Sequence, residues 1–293
     1  MKSAIRKPID AQQDAFIARE LVESHFYPNW HFHLECELFF VLTGTGTRFV
    51  GDSIRPLLPG ELIFVGANLP HLFRSDKAYF QRHADQQANS IVVYFREDFL
   101  GEDILTKNEM LHLRSFLCEA SRRGFLVTGQ TRKTVSKAMI ELASQERGLR
   151  RIILLLQILG ELAHSTELQP LASEHYRNSM KPNETDRMQK VHEFVLKNFQ
   201  EKVELTKVAD LIGMAPTAFS RYFKQIAHKT FSEFVIGIRI GHACKLLMDK
   251  RFSVAQIAYE SGFGSLSNFN EQFKKTMGLS PLAYYHQAAQ INQ

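Results

Sequence analysis

The chain has 293 residues, 44% of them hydrophobic and 23% charged, with a formal net charge of +5; the length suggests about two domains of ordinary size, and the balance is that of a folded rather than a disordered protein. Three cysteines, Cys36, Cys118 and Cys244, are too few and too scattered for a disulfide scaffold or a cysteine-based zinc module. The greasiest stretch, IILLLQIL at 152–159, falls far short of the roughly 20 residues that span a bilayer, and the opening MKSAIRKPIDAQQDAF has no apolar core of an export signal, so a cytoplasmic protein without a membrane partner is expected.

The first hundred residues read as strands. HFHLECELFFVLTGTGTRFV, at 31–50, is rich in Phe, Val and Leu, and Gly44-Thr45-Gly46 looks like a hairpin turn. Glu61 to Val65 follows Pro59-Gly60, and Ser90 to Phe95 reads SIVVYF. Short strands at such spacing suggest a small sandwich or barrel. Within them His31, His33 and Glu37 form H-x-H-x-x-x-E, and alternation places both histidines on one strand face. Glu35, on the other face, is expected to be solvated. Gly66 and His71, the latter in LPHLF, follow Pro59-Gly60. Together these resemble the two cupin motifs, with His31, His33, Glu37 and His71 at the four ligand positions. The second motif is degraded, since Gly66 and Asn68 stand where Pro and Gly are usual. Three readings stay open: an effector pocket, a divalent metal site of manganese, iron or zinc type, and polar residues that merely line a barrel mouth. Trp30, the single tryptophan, is placed either to stack on a sugar face or to pack in the core.

Beyond Asp98 the texture is helical. Lys107 to Ser121 and Thr131 to Ser165 carry apolar residues three and four apart with few breakers. Ile152, Leu155, Leu156, Leu159 and Leu162 fall along one side of the second run, and Ile153 and Leu154 broaden the stripe. That helix either packs on its own domain or serves as a dimer helix. Thr166 to Asp186 is polar and contains Pro170 and Pro182, which marks a linker. Arg187 to Phe199 then places Met188, Val191, Phe194, Val195 and Phe199 on one helical face.

The last third resembles itself. LTKVADLIGMAPTAFSRYFK from Leu205 matches VAQIAYESGFGSLSNFNEQFK from Val254: Ala209 pairs with Ala258 and Gly213 with Gly262 at an offset of 49, then Phe219 with Phe269, Phe223 with Phe273 and Lys224 with Lys274 at an offset of 50. Each copy has a small residue for close helix approach, a glycine for a turn needing positive φ, and a second helix opened by Pro216 or capped by Ser265 or Ser267. Phenylalanines four apart hold that helix inward and leave the residues between them outward. This is a duplicated helix-turn-helix. From Lys181 onward there are 15 Lys or Arg against 10 Asp or Glu, so the whole positive excess lies here, where a polyanion partner is expected. No phosphate-binding glycine loop or Gly-x-Ser-x-Gly elbow occurs.

Two copies joined by the helix FVIGIRIGHACKLL, with the closing SVAQIAYESGFGSLSNFNEQFKKTMGLSPLAYY, resemble the DNA-binding domain of AraC-family transcription regulators. The resemblance implies an α+β chain: a cupin-like β-barrel with following helices at 1–165, a linker at 166–185, and an all-α domain with two helix-turn-helix motifs at 186–293. It implies a non-enzymatic regulator, activating by family analogy alone, that binds double-stranded promoter DNA as a homodimer and recruits RNA polymerase. Thr217, Ser220 and Arg221 in the first recognition helix, and Leu266, Ser267, Asn270 and Glu271 in the second, match the family's base readers, with Lys224, Lys274 and Lys275 as phosphate contacts. Trp30, His31, His33, Glu37 and His71 are then the expected pocket for a small-molecule effector such as a sugar, with no cofactor and no metal; the competing reading is a metal-binding cupin enzyme fused to a DNA-binding module. Glu271 departs from the arginine usual at its position, and His228 replaces a usual glycine.

Overall fold

The computed structural model describes residues 14–81, 87–101, 103–178, 182–249 and 251–291, so the opening segment read for export lies outside the described residues. The chain divides into two compact units, one holding the residues up to Ser53 and from Leu57 to Asn178, the other Ile54–Pro56 and the residues beyond Asn178.

The first unit is built on two sheets. One has six strands in the order β1 (Phe16–Glu23), β7 (Ala88–Phe95), β2 (Cys36–Thr43), β5 (Leu62–Val65), β8 (Phe125–Val127) and β9 (Leu168–Pro170). The other has β4 (Ser53–Leu57), β3 (Gly46–Val50) and β6 (His71–Ser75). Three helices follow: α1 (Leu111–Arg123), α2 (Gly129–Ser144) and α3 (Leu149–His164). Strand periodicity explains why IVVYF, at 91–95, carries apolar side chains on both faces. Ile91, Val93 and Phe95 join Leu38, Leu62 and Phe64 in the core under the helices, whereas Val92 joins Phe39, Val41, Ile63 and Val65 in the core between the sheets. The large sheet is thus covered on both faces.

Three expectations are corrected. Gly44-Thr45-Gly46 is not a hairpin, because β2 and β3 belong to different sheets. The glycines serve that crossing instead: a Cβ on Gly46 would lie 2.2 Å from the Arg74 carbonyl oxygen of β6. The apolar run 131–165 is two helices, interrupted at 145–148, where Gln-Glu-Arg-Gly offers no apolar residue to bury. In α3 the packed stripe is Leu154, Leu155, Ile158, Leu159 and Leu162, while Leu149 and Ile153 remain 70% and 47% exposed. Finally, the first part of the expected linker belongs to the first unit: β9 pairs with β8, and Ala172 and Tyr176 are buried in the core between the sheets. Their apolar side chains outweigh the polar composition that surrounds them.

The second unit is helical: α4 (Pro182–Asn198), α5 (Leu205–Leu211), α6 (Pro216–Ala227), α7 (Phe231–Asp249), α8 (Val254–Glu260), α9 (Leu266–Met277) and α10 (Pro281–Ile291). α4 starts inside the stretch read as linker. Pro216 stands in the first turn of α6. Ser253 forms a capping box with Gln256 at α8, and the Ser265 side chain accepts from Asn268 N at the start of α9. Phe219 and Phe223 pack with Phe231 and Phe234, and Phe269 and Phe273 pack with Ile240, Ala243, Cys244 and Leu247 of α7. α7 is therefore shared by both motifs. Arg239 on α7 reinforces this by donating to the carbonyls of Phe199 and Glu201, both at 2.8 Å. Among the described residues no helix is long and apolar enough to cross a membrane.

Candidate DNA-binding face and buried histidine cluster

In the second unit the two copies present equivalent helices. Gly213 and Gly262 have φ of 69° and 83°, the left-handed conformation that each turn requires. Gly262 is also held by proximity, since a Cβ there would lie 2.6 Å from the Phe199 carbonyl oxygen. His228 ends α6 at φ 53°, so histidine does take the conformation of the glycine it replaces. With Phe219, Phe223, Phe269 and Phe273 fully buried, the opposite faces of α6 and α9 are exposed. On α6 that face carries Thr217, Ser220, Arg221 and Lys224; on α9 it carries Leu266, Ser267, Asn270, Glu271, Lys274 and Lys275. All ten sequence-predicted residues are exposed. The Ser220 hydroxyl donates back to the Pro216 carbonyl at 3.0 Å, which leaves its lone pairs outward.

In the first unit His31 and His33 precede β2 rather than lying within it. His31 and His71 form an isolated antiparallel bridge through backbone hydrogen bonds of 3.1 and 2.9 Å, and Asn68 N donates to the His33 carbonyl at 2.7 Å. Asn68 has φ 59°, a conformation asparagine tolerates better than most residues. Glu37 is the second residue of β2, and strand register sets it between Val65 of β5 and Tyr94 of β7.

These side chains converge. His33 Nε2 and His71 Nε2 lie 3.1 and 3.0 Å from Glu37 Oε2, and the Tyr94 hydroxyl donates to Glu37 Oε1 at 3.1 Å. His31 completes the group, its ring centroid 4.3 Å from that of His71. One ligating atom from each of His31, His33, Glu37 and His71 lies within 4.8 Å of all the others, and none of the four residues is more than 3% exposed. Each Nδ1 donates to a backbone carbonyl at 2.8 Å: His31 to Asn29, His33 to Glu35, His71 to Leu69. A carbonyl oxygen can only accept, so Nδ1 carries a proton in each ring, and Nε2 is the ring nitrogen left for other partners. His31 Nε2 is buried with no hydrogen-bond partner.

The electrostatics follow from burial and neighbours. Burial alone would raise the Glu37 carboxyl, but the His33 and His71 rings outweigh it and hold it well below the usual carboxylate range. Burial, with the neighbouring His71 and His33 rings, pushes His31 well below its ordinary value, and burial also lowers His71. Tyr94 is raised well above its ordinary value by burial and by the charge of Glu37. An anionic carboxylate therefore faces ring nitrogens in a sealed space.

Of the residues expected at this site, His31, His33, Glu37 and His71 come together. Trp30 is only 5% exposed. Glu35 is not solvated: its side chain is 14% exposed, and its carbonyl orients His33. Tyr94 is not among the residues expected at this site; its signal is that it shares the strand parity of Val92, with which it lies in the core between the sheets.

The comparisons with known proteins agree with both halves. A family model described as an AraC-like ligand binding domain matches residues 16–159, and a helix-turn-helix domain model matches 208–287. The transcriptional activator RhrA of Rhizobium meliloti is 32% identical over 125 residues, covering 41% of this chain and 39% of its own. The melibiose operon regulatory protein of Escherichia coli is 28% identical over 100 residues, covering 34% of this chain and 33% of its own. The chain thus spans little more than a third of the length of the curated relatives it matches. The crystal structure of ToxT from Vibrio cholerae O395 covers 93% of this chain and 97% of its own at 15% identity, with a TM-score of 0.38.

Proposed function

The chain belongs to the AraC family of transcription regulators, and from that premise we propose that it is a sequence-specific DNA-binding regulator controlled by an effector taken up in its first unit. The observation that carries this reading is the duplication of one device: α6 and α9 each anchor two fully buried phenylalanines and turn a polar, partly basic face outward. Such helices fit successive major-groove segments. Arg221 is the residue for a bidentate contact to guanine, Asn270 suits adenine, and Glu271 suits the amino group of cytosine. Lys224, Lys274 and Lys275 grip phosphates and set the register without reading sequence.

In this reading the chain works as a cytoplasmic homodimer, with the exposed Leu149 and Ile153 of α3 as the apolar residues available for pairing. Effector binding changes how two DNA-binding domains are presented, and RNA polymerase is recruited from adjacent sites. The sense is activation, as the name of the Rhizobium relative says of that protein. A catalytic role for the histidine cluster is disfavoured because side chains at most 3% exposed offer a substrate no open face. The same burial, with Trp30 at 5% exposure, argues against a sugar at these residues, although the operon name of the E. coli relative is that of a sugar.

The test is selection of the full chain on a random duplex library, followed by competition binding of selected against scrambled duplexes at fixed salt. A specificity ratio of about a thousandfold or more is expected. Equal affinity for all sequences, with the salt dependence of phosphate contacts alone, would overturn the reading.

A further inference from the structure

We propose that His31, His33, Glu37 and His71 bind one divalent first-row transition-metal ion through three imidazole Nε2 atoms and a carboxylate oxygen, and that this ion is the effector. The second half rests on the regulator reading above; the first half stands on the geometry of the cluster.

Four observations converge. The first is His31 Nε2, a buried ring nitrogen with no hydrogen-bond partner, an arrangement that costs stability unless something fills it. The approach of His33 and His71 to Glu37 Oε2 accounts for two rings as hydrogen-bond partners of the carboxylate, but leaves the third without a role. A cation accounts for all three rings and the carboxylate at once. The second is orientation. Every Nδ1 is anchored on a backbone carbonyl, the outer contact that fixes tautomer and direction in ligating histidines. The Tyr94 hydroxyl plays the same part for the carboxylate by holding Oε1 and leaving Oε2 toward the rings.

The third is size. Ligating atoms within 4.8 Å of one another, on residues at most 3% exposed, enclose a space suited to one ion and not to a sugar ring. The fourth is donor chemistry. Three imidazoles and one carboxylate suit zinc, iron, nickel, cobalt or manganese, whereas calcium and magnesium prefer all-oxygen surroundings.

The ligands also explain how an ion would act on the fold. They come from the segment before β2, from β2 and from the head of β6, so one ion ties that segment to one strand of each sheet. Binding to the native state alone stabilises it in proportion to ligand excess.

The experiment uses the full chain, stripped with a chelator, desalted and titrated with cobalt(II). Expected are a one-to-one endpoint in the visible d–d bands and a rise in the melting temperature on loading. His71→Ala should lose both. His31→Phe provides a second variant that removes the unpartnered nitrogen instead of exposing a new one; it should fold, melt no lower than stripped wild type, and show no cobalt-dependent shift. Absence of stoichiometric uptake by wild type, or uptake undiminished in both variants, would overturn the site. Loaded and stripped protein are then compared on selected duplex DNA, where a change in affinity of about 5- to 150-fold is expected. Equal specific binding in both states overturns the effector assignment and leaves the metal site standing. Cobalt uptake without sequence preference in either state overturns the regulator reading instead.

Discussion

Replacing Arg221 with alanine removes an exposed side chain from α6 and leaves the buried phenylalanines that anchor the helix in place. Its flanking anchors Phe219 and Phe223 are fully buried, and exposed substitutions away from such anchors usually change stability by no more than about 0.5 kcal/mol. The loss should therefore fall on DNA recognition. One bidentate arginine–guanine pair discriminates by about 1–3 kcal/mol, which is about 5- to 150-fold in affinity. That loss should appear on the selected duplex and not on a scrambled one. Lys274→Ala on α9 supplies the contrast, because a phosphate contact carries no sequence information. It should weaken both duplexes alike and reduce the slope of log affinity against log salt by about 0.9. Fluorescence anisotropy on the two duplexes, at several salt concentrations, measures all four quantities. Equal losses on both duplexes for both variants would refute the division of labour.

Other substitutions test the packing that presents these helices. Phe223→Ala, at a side chain edge-on to Phe231 and Phe234 at 5.5 and 5.2 Å, should cost about 3–5 kcal/mol; a urea midpoint within error of wild type would contradict the core assignment. Gly262→Ala meets both a φ of +83° and the Phe199 carbonyl oxygen, so it should destabilise by about 1 kcal/mol or more. Gly264→Ala, with open space around it, should be nearly neutral. Glu167 in the first unit accepts from the backbone N–H of Thr131 and Gln130 at the start of α2, at 2.7 and 3.1 Å, and these bonds lower its pKa. Because the folded value lies below the unfolded one, its contribution is complete above the ordinary glutamate value of about 4.3 and is lost as pH falls through the folded value. Melting curves of wild type and Glu167→Gln should therefore be separated at neutral pH and draw together in acid; a gap that widens in acid would contradict the sign.

The helical third was legible because its determinants are local. A glycine at the turn, Pro216 or Ser265 at the helix start and phenylalanines four apart all act within one motif, and Gly213, Gly262 and even the substituted His228 adopt the expected left-handed conformations. The first unit was legible in composition but not in pairing. Strand partners are distant in sequence: Tyr94 reaches Glu37 across 57 positions, a register that no local pattern encodes. The same limit hides the setting of Gly44 and Gly46, whose surroundings include Ala88 of β7 and Arg74 and Ser75 of β6. The stretch with a linker's composition departs in the other direction, for Ala172 and Tyr176 are sparse apolar residues in polar company that find burial only once the sheets exist. Of the histidine cluster, the resemblance to the cupin motifs points to four members; the carbonyls that orient the rings are visible only in the fold.

The central claim, that both helix-turn-helix copies read DNA, is tested most directly by hydroxyl-radical footprinting of the full chain on a selected duplex. Protection on one face of the DNA, in two patches about one helical turn of 10–10.5 base pairs apart, is the expected result, with the patch under α9 weakened selectively by Asn270→Ala. A single patch, or protection unchanged when the sequence is scrambled, would contradict the account.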